Sequence, residues 1–240
     1  MNKRDVIIAL DFETADKTFA FLDHFDSGVK PFVKIGMELF YAEGPEIVRK
    51  IKKRGHQIFL DLKLHDIPNT VKKAMRVLSG LEVDLCNLHA AGTREMMEAA
   101  LEGLTRPDGS RPLLIAVTQL TSTNERALRE ELLIDRPMGE VVRSYAGLAK
   151  AAGLDGVVCS PLEAGDVHAQ CGADFLAVTP GIRFADGPDG DQKRVTTPAR
   201  ARALGSDFIV VGRPITAAPD PIAAYQKCVT EFLKESAEHE

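Results

Sequence analysis

The sequence predicts an α/β protein built as a single (β/α)8 barrel, the TIM barrel architecture, over residues 1–240. Short apolar runs alternate with amphipathic segments along the whole chain, which is the pattern of strands followed by helices. The apolar runs lack polar alternation, as expected for parallel strands buried on both faces. Eight such units in 240 residues fit a closed barrel better than an open doubly wound sheet. No composition break or low-complexity run marks a second domain.

Each predicted strand is a short apolar run that ends where polar residues begin. In chain order the eight strands cover residues 6–10, 32–35, 58–60, 85–89, 113–118, 157–159, 175–178 and 208–211. Because a helical segment follows each of them, we expect one parallel sheet covered by helices.

The predicted helices begin and end at typical turn residues. Gly44-Pro45 begins the helix after the second strand and Gly55 ends it, with proline inside the start and glycine beyond the end. Pro161 begins the helix after the sixth strand, Thr197-Pro198 caps the one after the seventh, and Asp220-Pro221 opens the last. Apolar residues at helical spacing predict further helices within residues 19–25, 71–78, 96–104, 125–133 and 138–148.

Composition and charge argue against several classes of function. The net charge of -5 gives no support for nucleic-acid binding, which usually shows as a basic surplus. The amino-terminal apolar run is too short for a signal peptide or a membrane span. The four cysteines show no paired spacing and look like reduced, buried side chains: Cys86, Cys159, Cys171 and Cys228. We therefore expect a soluble cytoplasmic protein with no membrane partner.

The stretch Asp61-Leu62-Lys63-Leu64-His65-Asp66-Ile67-Pro68-Asn69-Thr70 lies where the third strand leads into a helix. Side chains two apart in a strand share a face, so Asp61 and Lys63 are expected side by side, with Asp66 close behind. Two functions of this pattern are possible on the motif alone. It could be a structural ion pair with Asp66 capping the helix, or it could be part of a reactive site.

Active sites of parallel barrels lie at the carboxyl ends of the strands, which singles out a small polar set. Its members are Asp11, Lys34, Asp61, Lys63, His89, residues 118–121, Ser160, residues 179–183 and Gly212-Arg213. Lysines are costly to bury unless they are paired, so lysines alternating with aspartates predict a self-neutralising cluster. A purely structural barrel would not need this cluster.

A phosphate site is predicted after the seventh and eighth strands, where barrels often bind phosphate. Gly212 lets the backbone approach closely, Arg213 offers a planar fork for phosphate oxygens, and Arg183 and Gln192 flank the site. The Gly/Asp-rich loop of residues 183–195 is interpreted as a lid over the ligand. The alternatives are a solvated surface arginine and a plain surface connection.

No cofactor is demanded by the sequence. Dinucleotide-binding and Walker patterns are absent. A divalent metal is not expected, because Lys63 and Lys34 interleave with the acids Asp61 and Asp66 and would oppose a cation. His89 could be a general base, but a hydrogen-bonded structural histidine is the favoured interpretation.

The stretch at residues 61–70 resembles the signature of orotidine 5'-phosphate decarboxylases, an Asp-x-Lys-x-x-Asp core followed by Ile-Pro and a threonine. The resemblance extends over the chain in ordered segments, which makes it far more specific than one motif. These are Ala9-Leu10-Asp11, Val33-Lys34-Ile35-Gly36, His89-Ala90-Ala91-Gly92, Val117-Thr118-Gln119-Leu120-Thr121-Ser122, Thr179-Pro180-Gly181-Ile182-Arg183 and Val211-Gly212-Arg213-Pro214-Ile215. The short barrel is similar to the bacterial monofunctional form.

The resemblance implies conversion of orotidine 5'-monophosphate to uridine 5'-monophosphate (UMP) and CO2, the last step of de novo UMP synthesis, without metal or cofactor. Lys63 would donate the proton to the carbon that loses CO2, with Asp61, Asp66 and Lys34 completing a charged array. Asp66, Ile67 and Thr70 would reach into the neighbouring subunit's site, so the active unit would be a homodimer.

The resemblance also implies a division of the substrate-binding residues. Asp11 and Lys34 would hold the ribose hydroxyls. Thr121, Ser122 and Pro180 would lie by the pyrimidine. The residues that would bind phosphate or close the lid are Arg183, Gln192, Gly212 and Arg213. Thr123 and Arg194 remain alternatives to Thr121 and Arg183, because loop lengths vary at these points.

Two other functions are weighed against this one. A related barrel could act on a sugar phosphate, as a keto-sugar phosphate decarboxylase or hexulose phosphate synthase does, but these depend on magnesium. The Thr121-Ser122 segment and Gln192 argue against it. A non-catalytic phosphate- or nucleotide-binding barrel would have no use for an intact set of four charged residues, Asp61, Lys63, Asp66 and Lys34.

Overall fold

The computed structural model describes residues 4–25, 28–185 and 196–233. Eight parallel strands form a closed barrel in sequence order, and the last pairs with the first. The strands are β1 Asp5–Ala9, β2 Phe32–Gly36, β3 Ile58–Leu64, β4 Leu85–His89, β5 Leu113–Val117, β6 Gly156–Val158, β7 Leu176–Thr179 and β8 Phe208–Val211. The predicted (β/α)8 barrel is confirmed.

Helices cover the outside of this barrel. They are α1 Ala15–Asp23, α2 Met37–Glu43, α3 Pro45–Lys53, α4 Pro68–Ser79, α5 Thr93–Leu104, α6 Glu125–Glu130, α7 Met138–Ala151, α8 Ala164–Cys171, α9 Pro198–Ala203, α10 Arg213–Thr216 and α11 Pro221–Leu233. Most of the predicted helix starts are confirmed. At the start of α9, for example, the Thr197 side chain accepts a hydrogen bond from the Arg200 N–H. None of the described helices is both long and apolar enough to cross a bilayer.

The structure differs from the sequence prediction in a few elements. Helix α2 follows β2 at once and was not predicted. It is separated from α3 by Gly44, whose φ of 66° breaks the helical path. Pro161 begins a short 3-10 turn, Pro161–Glu163, before α8. Strand β3 extends to Leu64, four residues beyond the apolar run that predicted it.

Two apolar cores hold the barrel. A large one lies between strands and helices. A smaller one fills the barrel interior with inward-facing side chains, including Phe32, Phe59, Ile115 and Phe208. The Phe32 and Phe208 rings meet edge to face at 6.1 Å. Because this interior is packed, polar inward-facing residues are placed above it, at the carboxyl ends of the strands.

The amino-terminal end of the barrel uses its charges for structure. Asp84, Asp155 and Asp207 each precede an even-numbered strand and accept the backbone N–H of the strand before it, at 2.7–2.8 Å. Each carboxylate also contacts a basic side chain, which is Lys52, Arg111 or His168 respectively. These charged hydrogen bonds hold neighbouring strands together at the amino-terminal end of the barrel. The predicted site residues lie at the other end, where the strands finish.

Candidate active site

A cavity of about 550 Å³ opens at the carboxyl ends of the strands. Its position follows from strand alternation, because residues two apart share a face. Phe32 and Phe59 fill the interior, and two residues later Lys34 and Asp61 enter the cavity. The residues predicted for the site that line this cavity are Asp11, Lys34, Asp61, Lys63, Thr121, Ser122, Pro180, Arg183, Gly212 and Arg213.

A chain of ion pairs lies on the floor of the cavity. Lys34 Nζ donates to Asp11 Oδ1 at 2.9 Å and lies 3.3 Å from Asp61 Oδ2. Lys63 Nζ donates to the other oxygen of the same carboxylate, Asp61 Oδ1, at 2.6 Å. Asp61 is thus held between two ammonium groups, one on each oxygen. This alternation offsets the cost of burying Lys34 and Asp61, both only 8% exposed.

The pairing sets the charge of both buried groups. Burial alone would raise the pKa of Asp61, but the charges of Lys34 and Lys63 and the hydrogen bonds from Lys63 and Asn87 hold it below its usual value. Burial alone would lower the pKa of Lys34, but the carboxylates of Asp61 and Asp11 hold it above its usual value. A depressed carboxyl pKa and an elevated ammonium pKa keep both groups ionised across the neutral pH range.

Asp61 and Lys63 meet through a distortion of β3 rather than through regular strand alternation. Lys63 has a φ of 51°, in the left-handed region that non-glycine residues rarely adopt. The pairing of β3 with β4 shifts register between Leu60 and Leu64. Backbone strain of this kind clusters at functional sites, where the surrounding structure holds it in place.

The part of the cavity predicted to bind phosphate is formed by the ends of β7 and β8. Gly212 precedes α10, and Arg213 is its first residue. Arg183 N donates to Thr196 O at 2.9 Å, and Thr196 N donates to Gly181 O at 3.0 Å. The two ends of the predicted lid are therefore tied together beside the cavity. Residues 186–195, which include Gln192 and the alternative Arg194, lie outside the described part of the chain.

Three predicted site residues are placed away from the cavity of their own chain. Asp66 Oδ1 accepts the Ile67 N–H at 2.6 Å, Ile67 is 66% exposed, and Thr70 is exposed on α4. Helix α4 has no side-chain cap, so the alternative in which Asp66 caps this helix is not seen. Within residues 4–25, 28–185 and 196–233, Asp66 forms no ion pair.

Comparison with known proteins identifies the family. The model of the orotidine 5'-phosphate decarboxylase / HUMPS family matches residues 4–228. The chain belongs to this family. It is 60% identical over 229 residues to the orotidine 5'-phosphate decarboxylase of Bacillus caldolyticus, covering 94% of this chain and 93% of that one. The Geobacillus thermodenitrificans enzyme of the same name is 59% identical over 229 residues, with 94% and 95% covered.

A solved structure gives the same answer for the fold of this family member. The crystal structure of orotidine 5'-phosphate decarboxylase from Lactobacillus acidophilus superimposes with a TM-score of 0.83 at 44% identity. The match covers 95% of this chain and 99% of that one. The resemblance predicted from the sequence motifs is therefore confirmed.

Asn87 is a site residue of this decarboxylase-family chain that was not predicted from the sequence. It is 1% exposed in β4 and hydrogen-bonds to both Asp61 and Lys63. The sequence did contain a signal for it, since Asn87 is the single amide in the apolar run of residues 85–88. A buried amide requires hydrogen-bond partners. Gln119, which belongs to the predicted polar set at residues 118–121, also lines the cavity. Its spacing of two from Val117 indicates its inward direction.

His89 is half-buried at the end of β4 in this family member, with its ring 5.5 Å from that of His65. Burial, then the nearby His65 and Lys63, lower the pKa of His89, and Asp61 partly offsets them. Among the described residues, no group of three or more His, Cys, Asp or Glu side chains is placed to hold a metal ion.

Proposed function

We propose that this chain decarboxylates orotidine 5'-monophosphate to UMP and CO2 in de novo pyrimidine synthesis, as a cytoplasmic enzyme without metal or organic cofactor. The observation that carries the proposal is the Lys34–Asp61–Lys63 chain of ion pairs in a cavity that also presents Arg213. The names of relatives at 59–60% identity support the same reaction.

Lys63 is the proton donor in this proposal. When the bond between the pyrimidine ring and its carboxylate breaks, CO2 leaves and the electron pair stays on the ring carbon. The ammonium of Lys63 stabilises this developing charge and then transfers a proton to the carbon, which gives UMP and a neutral amine that solvent reprotonates. Because the Lys63 ammonium is already held by its hydrogen bond to Asp61, the site needs little reorganisation when negative charge forms on the ring carbon.

The other charged residues prepare this step. Asp61 holds the Lys63 ammonium and lies where it would repel the substrate carboxylate, which disfavours the ground state. Lys34 and Asp11 hold the ribose hydroxyls. Thr121, Ser122 and Pro180, which also line the cavity, contact the pyrimidine. These polar contacts fix the orientation in which the reacting carbon faces Lys63.

The active unit in this proposal is a homodimer in which Asp66, Ile67 and Thr70 complete the partner's site. Asp66 is exposed and Ile67 presents a large apolar side chain to solvent immediately after the strand that carries Lys63. An apolar side chain and an acid beside the site are suited to contact with a second copy of this chain.

The decisive experiment is turnover of orotidine 5'-monophosphate by purified protein in the presence of a chelator. We expect the ultraviolet absorbance of the substrate to fall and UMP to accumulate in equimolar amount with CO2. An enzyme that requires magnesium and acts on a sugar phosphate would contradict the proposal, and so would a protein that binds UMP but turns over no substrate.

Arg213 tests the phosphate side. We expect Arg213→Ala to lower kcat/KM for orotidine 5'-monophosphate by about 10²-fold, because a charged hydrogen-bond donor to phosphate is lost. Turnover of orotidine, which lacks the phosphate, should be the same in variant and wild type. Arg200→Ala, at an exposed position on α9, is the matched control. An equal loss with both substrates would remove Arg213 from phosphate binding.

A further inference from the structure

Asn87 lies in β4 directly opposite the distortion of β3. Leu60 pairs with Cys86, and the next pair is Leu64 with Leu88. Three residues of β3, namely 61–63, therefore face the single residue Asn87 of β4. A bulge of this kind leaves backbone groups of the longer strand without partners in the ladder.

The Asn87 side chain supplies the missing backbone contact. Its Oδ1 accepts the backbone N–H of Lys63 at 2.8 Å, replacing the strand hydrogen bond that the bulge removes. Lys63 has its φ of 51° at this point, so the contact holds a backbone conformation that the residue would not adopt by itself. The direction of the Lys63 side chain depends on this conformation.

The other end of the same amide holds the catalytic carboxylate. Asn87 Nδ2 donates to Asp61 Oδ1 at 2.7 Å, and this oxygen also accepts from Lys63 Nζ at 2.6 Å. Rotating the amide by 180° would set its NH2 group against the Lys63 N–H and its oxygen against the carboxylate. Only one orientation satisfies both partners, so the amide fixes the position of both.

We propose that Asn87 is a positioning residue of the reaction, which builds the β3 bulge and aligns Asp61 with the Lys63 ammonium. It touches no substrate atom in this role and acts through its two hydrogen bonds. An amide is suited to the task because one side chain must donate to a carboxylate and accept from an N–H. The role in turnover rests on the proposed function, whereas the alignment of Asp61 does not.

The test compares Asn87→Asp, Asn87→Ala and Asp84→Ala. Asn87→Asp keeps the shape and the acceptor for the Lys63 N–H but places a second carboxylate against Asp61. Asn87→Ala removes both hydrogen bonds. Asp84→Ala is the matched control, since it removes a buried contact to β3 from the start of the same strand, away from the cavity. The charged groups around Asp61 are unchanged in all three variants: Lys34, Lys63, Asp11 and His89.

We expect both Asn87 variants to lower kcat on the order of 10²-fold, because the reacting groups are misplaced, while KM changes little. The acid limb of the pH–kcat profile should move to higher pH, most in Asn87→Asp. The reason is that a lost donor or an added negative charge favours the protonated form of Asp61. Asp84→Ala should lower the melting temperature and keep the wild-type kcat and pH profile.

A second readout is independent of turnover. In the unliganded protein, the carboxyl-carbon resonance of Asp61 should titrate at higher pH in both Asn87 variants than in wild type or Asp84→Ala. If wild type fails to turn over orotidine 5'-monophosphate, the proposed function is wrong and this titration still tests Asn87. Wild-type kcat and an unshifted Asp61 titration, with only a lower melting temperature, would overturn the proposal. Should Asn87→Asp fail to fold, Asn87→Ala decides by the same measurements.

Discussion

Lys63→Ala is expected to lower single-turnover decarboxylation of orotidine 5'-monophosphate at least about 10⁴-fold, the largest effect of any single substitution in the chain. The substitution removes the proposed proton donor and, with it, the positive charge that the proposal places beside the reacting carbon. It also deprives Asp61 of the closer of its two cations, 2.6 Å away. Rapid-quench measurement of UMP formation gives the rate, and circular dichroism with thermal melting shows that the variant is folded.

Two further lysine variants separate charge from proton transfer. Lys63→Arg keeps a cation near Asp61, but a guanidinium does not give up its proton at neutral pH, so turnover should stay almost as low as in Lys63→Ala. Lys72→Ala removes a partly exposed lysine of α4 that pairs with Glu102, and wild-type turnover is expected. Substantial activity in Lys63→Arg would show that charge alone suffices, and activity in Lys63→Ala would remove Lys63 from catalysis.

The barrel and the floor of the site were predictable because they depend on local periodicity. The apolar runs predicted β4 and β8 with the bounds that the structure gives them. Side chains two apart in a strand point to the same side. Since Phe32 and Phe59 point into the barrel, Lys34 in β2 and Asp61 in β3 point inward as well. Where a strand is regular and its burial is uniform, the sequence pattern suffices to place a side chain.

The contact between Asp61 and Lys63 shows where such reasoning stops. Regular alternation predicted it, but the structure reaches it with a left-handed Lys63 and a register shift against β4. This bulge depends on Asn87, which is far along the chain from Lys63, and no local pattern encodes a hydrogen bond between two strands. Helix α2, between β2 and Gly44, was also not predicted.

Sequence spacing also does not show which subunit a residue serves. The residues of the stretch 61–70 divide into two groups. Asp61 and Lys63 belong to the charged floor of their own barrel, whereas Asp66 and Ile67 are exposed and contact none of it. The motif runs without interruption through both groups, so its spacing alone does not show this division. The proposed homodimer, with a site shared between subunits, would give one short stretch two sets of residues with such different surroundings.

A mixed dimer provides the second large effect. Lys63→Ala and Asp66→Ala are each expected to be nearly inactive as homodimers, because every site then lacks one of its two essential charges. In a mixed dimer, one site combines the intact Lys63 of one chain with the intact Asp66 of the other. One of the two sites of each mixed dimer should therefore recover, which gives about half of the wild-type turnover per dimer. Co-expression with two affinity tags, followed by turnover of the doubly selected dimers, measures this recovery.

The outcome distinguishes a shared site from a local one. If Asp66 acts in the site of its own chain, each variant chain is inactive whichever chain it pairs with, and the mixed dimers show no recovery. If Asp66→Ala alone is active, the residue has no essential role. A matched pairing of Lys63→Ala with Lys34→Ala sharpens the comparison, because Lys34 and Lys63 contact the same carboxylate within one chain. Because each chain supplies both lysines to its own site, the mixed dimer of that pair has no complete barrel: one lacks Lys63 and the other lacks Lys34. It should therefore show no recovery whether or not the partner contributes Asp66, whereas recovery with Asp66→Ala requires the site to be shared between subunits.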